Sequence, residues 1–342
     1  MVQTIGIESL LSQHAPSRHL DFKVEVPCPV KNRFQAAYEA FLRKQYETTG
    51  RRFYSFVPSM CGEHADVPGT LRDIAAVTSA DDLPEVAIDS ASGAFTCPAV
   101  VDRFVRTGAF QRIHDLSGVP FLNGAEFTDP YGAYNVIAVN PEVLLVDRKA
   151  LGDRPVPRSI EDLLDPIYTD SICIADSHRA IGTRFLTYIY LTYGEEGLDA
   201  IDRTIGTALN GPTVARTAGH TSPAPAAIYM APWVFAQGAV KPGRLEIVWP
   251  SEGALCNPTL LMVRADLSPE NQALVDFALS PELGEVFATS NLPSTVPGAP
   301  NVLPRGARVQ WPGWGHLLDG DQASLDATLM ARFGKYHRSN SC

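Results

Sequence analysis

Along residues 21–27 (DFKVEVP) apolar and polar side chains alternate, the period-two signature of a half-buried strand, and the run ends at Cys28-Pro29. Over 30–46 the period changes: Phe34, Ala37, Tyr38, Phe41 and Leu42 recur at helical spacing, and Thr48-Thr49-Gly50 closes the helix. A second strand over 52–57 runs into Pro58-Ser59-Met60-Cys61-Gly62. A third, over 84–88, leads through Asp89-Ser90-Ala91-Ser92-Gly93 to Phe95-Thr96-Cys97-Pro98, with a helix at 99–105. A helical piece at 5–14 precedes them all. Strands that alternate with helices predict a parallel sheet with crossover connections.

The texture changes at 129–147 (DPYGAYNVIAVNPEVLLVD), where two apolar runs flank Asn140-Pro141 and read as strands crossing between lobes. A helix-rich unit follows, with a short helix at 159–164, a strand at 171–175 and helices near 183–193 and 195–205. Strands at 245–249 and 260–263 carry the chain back, and helices at 269–279 and 281–289 come next. The Pro- and Gly-rich stretch 291–315 is expected to wrap the surface, with Trp311 and Trp314 stapling it to a lobe.

Length and composition sharpen this picture. A chain of 342 residues is too long for one ordinary core, since single cores stop growing near ~250–300 residues, so two lobes are expected. Hydrophobic residues at 45% and charged residues at 19% describe a well-packed globular protein. A formal net charge of -10 and the lack of any Lys/Arg block exclude non-specific nucleic-acid binding. The opening residues lack a basic region followed by an unbroken apolar one, and no stretch approaches the ~20 apolar residues that span a bilayer. The expectation is therefore no membrane insertion and a cytoplasmic location, or a periplasmic one if a leader precedes the chain. In a reducing cytosol its six cysteines would be free, metal-binding or reactive rather than paired.

Several segments carry a family resemblance when taken in order. They are Tyr134-Asn135 through Asp147, Ser159-Ile160-Glu161-Asp162-Leu163-Leu164-Asp165-Pro166, Tyr193-Gly194-Glu195-Glu196-Gly197-Leu198, Pro250-Ser251-Glu252-Gly253-Ala254 and Asp276-Phe277-Ala278-Leu279-Ser280-Pro281-Glu282. This order resembles the type II periplasmic substrate-binding proteins, in particular the ferric-iron, polyamine and phosphonate branch of ABC-transporter receptors. The resemblance implies an α/β fold of two doubly wound lobes joined by crossing strands, with a ligand cleft between them. Lobe 1 would hold 1–126 plus 255–290 and lobe 2 would hold 127–254 plus 291–342. Iron-binding members of the family use tyrosines and a carboxylate or His, so cysteines at strand ends are a departure.

Those cysteines carry the sharpest chemical expectation. If the first three strands are neighbours, Cys28, Cys61 and Cys97 converge on the edge where open α/β sheets bind ligands. Cys28 and Cys97 each precede a proline and a helix, where backbone N–H groups and the helix dipole favour a thiolate. With Cys256 as a fourth ligand from the loop 252–258, they would hold zinc, another thiolate-bound metal or an iron-sulfur cluster. The plainer alternative is that each packs as a small hydrophobe, as Cys173 in SICIA is expected to do.

A second set follows from the resemblance. Ser177, His178 and Thr183 lie in the loop and helix start where family members bind an anionic group, although an ordinary capped turn would look the same. His220 enters another loop, and Tyr131 and Tyr134 flank the crossing, where they would either face the ligand or pack against one lobe. No dinucleotide, Walker, zinc-protease or nucleophile-elbow motif occurs. The expected role is thus binding or carriage of a small-molecule or metal ligand, with a thiolate metal centre or iron-sulfur cluster at the cleft. The alternatives are a solute-binding protein for ferric iron, an oxyanion or a polyamine, partnered by an ABC permease, and a cluster-dependent enzyme.

Overall fold

The computed structural model describes residues 20–57, 71–122, 127–175, 183–220, 226–319 and 322–336. The helix expected at 5–14, together with Cys61, Ser177 and His178, lies outside the described residues. In chain order the elements begin β1 (Phe22–Val24), α1 (Cys28–Thr49), β2 (Ser55–Phe56), α2 (Leu71–Ala76), β3 (Val86–Ser90) and α3 (Pro98–Val100). The long β4 (Tyr134–Asp147) and short α4 (Arg148–Leu151) lead to β5 (Ile172–Ala175), α5 (Thr183–Thr204), β6 (Ile205–Leu209), α6 (Gly211–Thr217), β7 (Ile228–Pro232) and α7 (Trp233–Ala239). Then come β8 (Leu245–Val248), β9 (Ala254–Val263), α8 (Gln272–Ala278), α9 (Pro281–Ala288), β10 (Val309–Gln310), α10 (Trp314–Asp319) and α11 (Gln322–Phe333).

The chain divides into two compact units. Unit 1 holds Met1–Val119, Phe127–Val139 and Asn257–Val302; unit 2 holds Pro120–Glu126, Asn140–Cys256 and Leu303–Cys342. Two of the passages between them lie within β4 and β9, and each falls at an Asn-Pro pair, Asn140-Pro141 and Asn257-Pro258. Sequence patterning puts the change of lobe near residue 127, whereas residues 127–139 group with unit 1. Asn135 helps to hold them there: its amide oxygen accepts from the N–H groups of Ile113 (2.7 Å) and His114 (2.9 Å), and its amide nitrogen donates to the carbonyls of Gln111 and Leu261.

In unit 1 the three parallel strands run in the order β2, β1, β3, and β9 lies antiparallel to β3 with Val86 opposite Val263 and Ser90 opposite Thr259. Against this sheet α1 buries Val30, Phe34, Tyr38 and Leu42, the apolar stripe visible in the sequence. Phe22, Phe34, Tyr38, Phe41, Phe53 and Phe277 form a continuous aromatic cluster, with Phe41 and Phe277 centroids 4.8 Å apart. Each such ring, fully buried, contributes on the order of 2–3 kcal/mol of transfer free energy. The helix stops at Gly50, whose φ of 73° admits the left-handed cap and lets its N–H bond the carbonyl of Tyr46.

In unit 2 the strands β6, β5 and β7 are parallel, while β4 runs antiparallel to β7 on one side and to β8 on the other. Helix α5 packs Phe185, Leu186, Ile189, Leu198 and Ile201 into a core with Ile172 and Ile174. Its two predicted halves form one element with a non-helical break at Gly194 (φ 64°). The tail does attach: β10 pairs in parallel with the start of β9, and Trp311 and Trp314 meet edge to face at 4.7 Å. Helix α11 adds Leu329 and Phe333 to the core and ties Arg332 to Glu195 and Asp199.

Candidate functional site

In unit 1 the adjacency expected from the sequence is present, since β1 pairs in parallel with both β2 and β3. Cys28 is the first residue of α1, behind Pro27, and Cys97 caps α3 ahead of Pro98. Yet Cys28 is disulfide-bonded, and Cys97, Cys173 and Cys256 are not its partners because none of them is in a disulfide. A disulfide sulfur has no thiolate charge to give a metal. Cys256 belongs to β9 rather than to a loop; it is buried, and that burial pushes its thiol up, with Arg184 opposing the shift and Glu142 adding to it. Among the described residues no group of three or more His, Cys, Asp or Glu side chains is placed to hold a metal ion. The thiolate metal or iron-sulfur centre expected from the sequence is therefore without support, and Cys173 is fully buried in its strand as anticipated.

The loop that follows β3 is built around its own carboxylate. Asp89 accepts hydrogen bonds from the N–H of Ser90 (2.8 Å) and of Ala94 (3.0 Å), and the Lys23 ammonium lies 3.6 Å away with both side chains out of water. Burial pushes the Asp89 carboxyl up, with Lys23 opposing the shift and Glu25 adding to it. Above this support the loop carries Ser90 and Ser92, their hydroxyls 3.4 Å apart, and Asn257 donates to the Ser92 hydroxyl at 3.3 Å. Small polar groups thus stand at the edge to which the parallel strands of unit 1 run.

The tyrosines before β4 are held by neighbours. Asp129, fully buried, accepts from the N–H groups of Tyr131 (3.0 Å), Ala133 (3.0 Å) and Tyr134 (3.1 Å), an Asx-type turn that Gly132 permits with its φ of 66°. The Tyr134 ring is in the core and its hydroxyl donates to the Phe95 carbonyl at 2.8 Å. Tyr131 stays half-buried; Arg106 donates to its hydroxyl and stacks 5.0 Å from its ring centroid.

In unit 2 the parallel strands again end where helices begin. Asn210, capping α6 through its bond from Thr213 N–H, follows β6 directly, and α7 starts at Trp233 immediately after β7. Thr183 is the first residue of α5, and its side chain lies outside the described residues. His220 Nε2 sits 2.7 Å from the Lys241 ammonium, which also donates to the Ala218 carbonyl, so the imidazole accepts from a lysine. At the same edge Glu142, opposite Pro232 in the ladder, binds Arg184 at 2.8 Å, a charge pair no motif announced. Its one sequence signal is a lone acidic residue inside the apolar run VNPEVLLV. Burial drives the Tyr193 phenol up to about 12, helped by Tyr188, Glu161 and Glu252, and the Tyr229 phenol likewise to about 12.

Residues 81–319 match the family described as bacterial extracellular solute-binding protein. The chain belongs to that family. Among solved structures, a Bordetella ferric binding protein is similar over 94% of this chain and 100% of its own, with 15% identity and a TM-score of 0.63. The Trichodesmium protein IdiA (FutA), solved in complex with iron and citrate ligands, is 14% identical over 93% of this chain and 99% of its own, with a TM-score of 0.59. Apo ferric ion-binding protein A of Pasteurella haemolytica is 11% identical over 95% and 100%, with a TM-score of 0.60. At such identities the likeness shows the fold, the two-lobed α/β architecture of type II periplasmic solute-binding proteins. None of the curated proteins matches the chain. Among the described residues no helix is long and apolar enough to cross a membrane.

Proposed function

We propose that this member of the solute-binding family is the receptor of an ABC importer, capturing a ferric species outside the cytoplasm and passing it to a permease. The observation that carries the proposal is the family match over 81–319, joined to the structural likeness to ferric-binding proteins. The disulfide at Cys28 favours an oxidising compartment over the cytosol. Among the described residues no group of three or more His, Cys, Asp or Glu side chains is placed for a metal ion, which favours uptake of the ferric ion together with an anionic chelator. Binding, with no chemical conversion of the solute, is the role that accords with the absence of a catalytic motif.

Isothermal titration of the purified, iron-stripped chain with ferric citrate, ferric nitrilotriacetate, spermidine and inorganic phosphate tests this. Saturable one-to-one uptake of a ferric complex is the expected result. A folded protein that takes up spermidine alone, or none of the four, would overturn it.

A further inference from the structure

We infer that Arg184 recognises an oxyanion group of the solute and that the buried Glu142 is the positioning residue that aims it; this rests on the receptor function proposed above. Glu142 keeps only 4% of its side chain exposed and Arg184 keeps 34%. A buried ion pair is weak evidence for stability, because desolvation offsets most of the Coulombic attraction, so its presence asks for another reason.

The way the pair is made supplies that reason. A guanidinium carries five N–H donors in a planar fork suited to two oxygens at once. Two other arginines of unit 2 commit more of that fork to structure. Arg244 grips Asp147 through both Nε and Nη2, while Arg154 spends Nε, Nη1 and Nη2 on the carbonyls of Leu151, Ile167 and Ala150 and on the Ser171 hydroxyl. Arg184 spends Nη2 alone, on one oxygen of Glu142. Its Nε and Nη1 bond nothing among the described residues, and neither is a buried, unpartnered nitrogen. A single anchoring bond fixes the plane and leaves the outer edge of the fork open.

Placement agrees with that geometry. Glu142 stands opposite Pro232, the last residue of β7, at the end of the sheet from which β5, β6 and β7 pass into α5, α6 and α7. Cys256, buried beside the pair, offers no competing charge because its thiol is pushed up by burial. A carboxylate and a phosphate both present two oxygens at the spacing a guanidinium fork reads.

Titration calorimetry of the full chain with trisodium citrate, inorganic phosphate and ferric citrate tests the assignment and separates the two oxyanion sources. The wild-type chain should bind at least one of the three, and Arg184→Gln should weaken that binding about tenfold or more, with Arg184→Lys in between. Because Arg184→Gln strands a buried carboxylate, the double variant Glu142→Gln/Arg184→Gln serves as a neutral control, and it too should lose binding tenfold. Glu142→Ala distinguishes aiming from simple charge balance. It should weaken binding about fivefold if Glu142 holds the fork, whereas removal of a negative charge without any aiming role would tighten it. The inference falls if the folded double variant binds within twofold of wild type, or if Glu142→Ala tightens binding. Retained ferric citrate uptake with an indifferent double variant leaves the receptor function intact, whereas a wild-type chain that takes up only a solute without an oxyanion, such as spermidine, defeats both. If no solute binds at all, both fail together.

Discussion

Lys23 and Asp89, on neighbouring parallel strands, approach to 3.6 Å with 1% and 0% of their side chains exposed. Neither charge has water to fall back on, and the ammonium makes no hydrogen bond of its own. Removing one partner should therefore cost far more than removing both. Asp89→Asn is expected to destabilise unit 1 by up to about 3–5 kcal/mol, because it leaves the buried lysine only the half-exposed Glu25 carboxylate, 3.8 Å away. Lys23→Met combined with Asp89→Asn should recover most of that loss. Urea denaturation curves of the three proteins provide the check, and a cost below about 1 kcal/mol for the single variant would show that the pair is not coupled in this way.

Gly93 has no room for a methyl group. An added Cβ would lie 2.0 Å from Asp89 Oδ1, although the backbone at Gly93 has an ordinary φ of -96°. Gly93→Ala should thus be destabilising for steric reasons alone, by about 1–3 kcal/mol, through displacement of the carboxylate that organises the loop. Gly118→Ala, where nothing stands within 4 Å, should stay within about 0.5 kcal/mol. Equal melting temperatures for the two variants would refute the close approach.

Two buried histidines should make mild acid weaken the fold. His114 is buried, with Nε2 3.1 Å from the Thr295 hydroxyl, and burial holds its pKa below the ordinary value of 6.5 despite opposing contributions from Thr295 and Asp115. Burial likewise lowers His316. The native state then binds fewer protons than the unfolded state just below pH 6.5, so stability declines as pH falls from 6.5 toward the folded pKa values and levels off beneath them. Melting temperatures recorded between pH 7.5 and pH 5, values chosen to bracket this window, should show that decline, and His114→Asn should flatten part of it. A wild-type melting temperature that does not change across the window would exclude the effect.

The disulfide at Cys28 fixes the entry to α1. Dithiothreitol should lower stability by about 2–4 kcal/mol, and Cys28→Ser should produce the same loss with no further response to reductant. Identical melts with and without dithiothreitol would argue that the bond is absent from the protein in solution.

Much of unit 1 was legible because its signals are local. The stripe of Phe34, Tyr38 and Leu42 and the stop at Gly50 give α1 almost whole. Where the sequence misleads, the reason is the neighbours. Alternation in DFKVEVP points Lys23 toward solvent, but β1 lies between β2 and β3 and Phe22, Lys23 and Val24 are all buried. Asn140-Pro141 reads as a break between two strands, whereas β4 runs through it as one 14-residue strand. The Glu142–Arg184 pair spans 42 residues and obeys no spacing rule, so only the fold brings it together. Cys28 and Cys97 stand at helix starts ahead of their prolines, but the bond that claims Cys28 depends on pairing that spacing does not encode.

The two passages of chain along β4 and β9 also set an order in time. Strands β1, β2 and β3 leave the ribosome early, yet the strand that closes the flank of β3, at residues 259–263, emerges only after the whole stretch Asn140–Cys256 has been made. During synthesis unit 2 can assemble its parallel strands while β3 still carries an unpaired edge, the kind of surface that invites aggregation. A chain that halts before Asn257 is therefore not a shorter version of this protein: its second unit lacks β10 and the core residues of α11, and its first cannot finish its sheet.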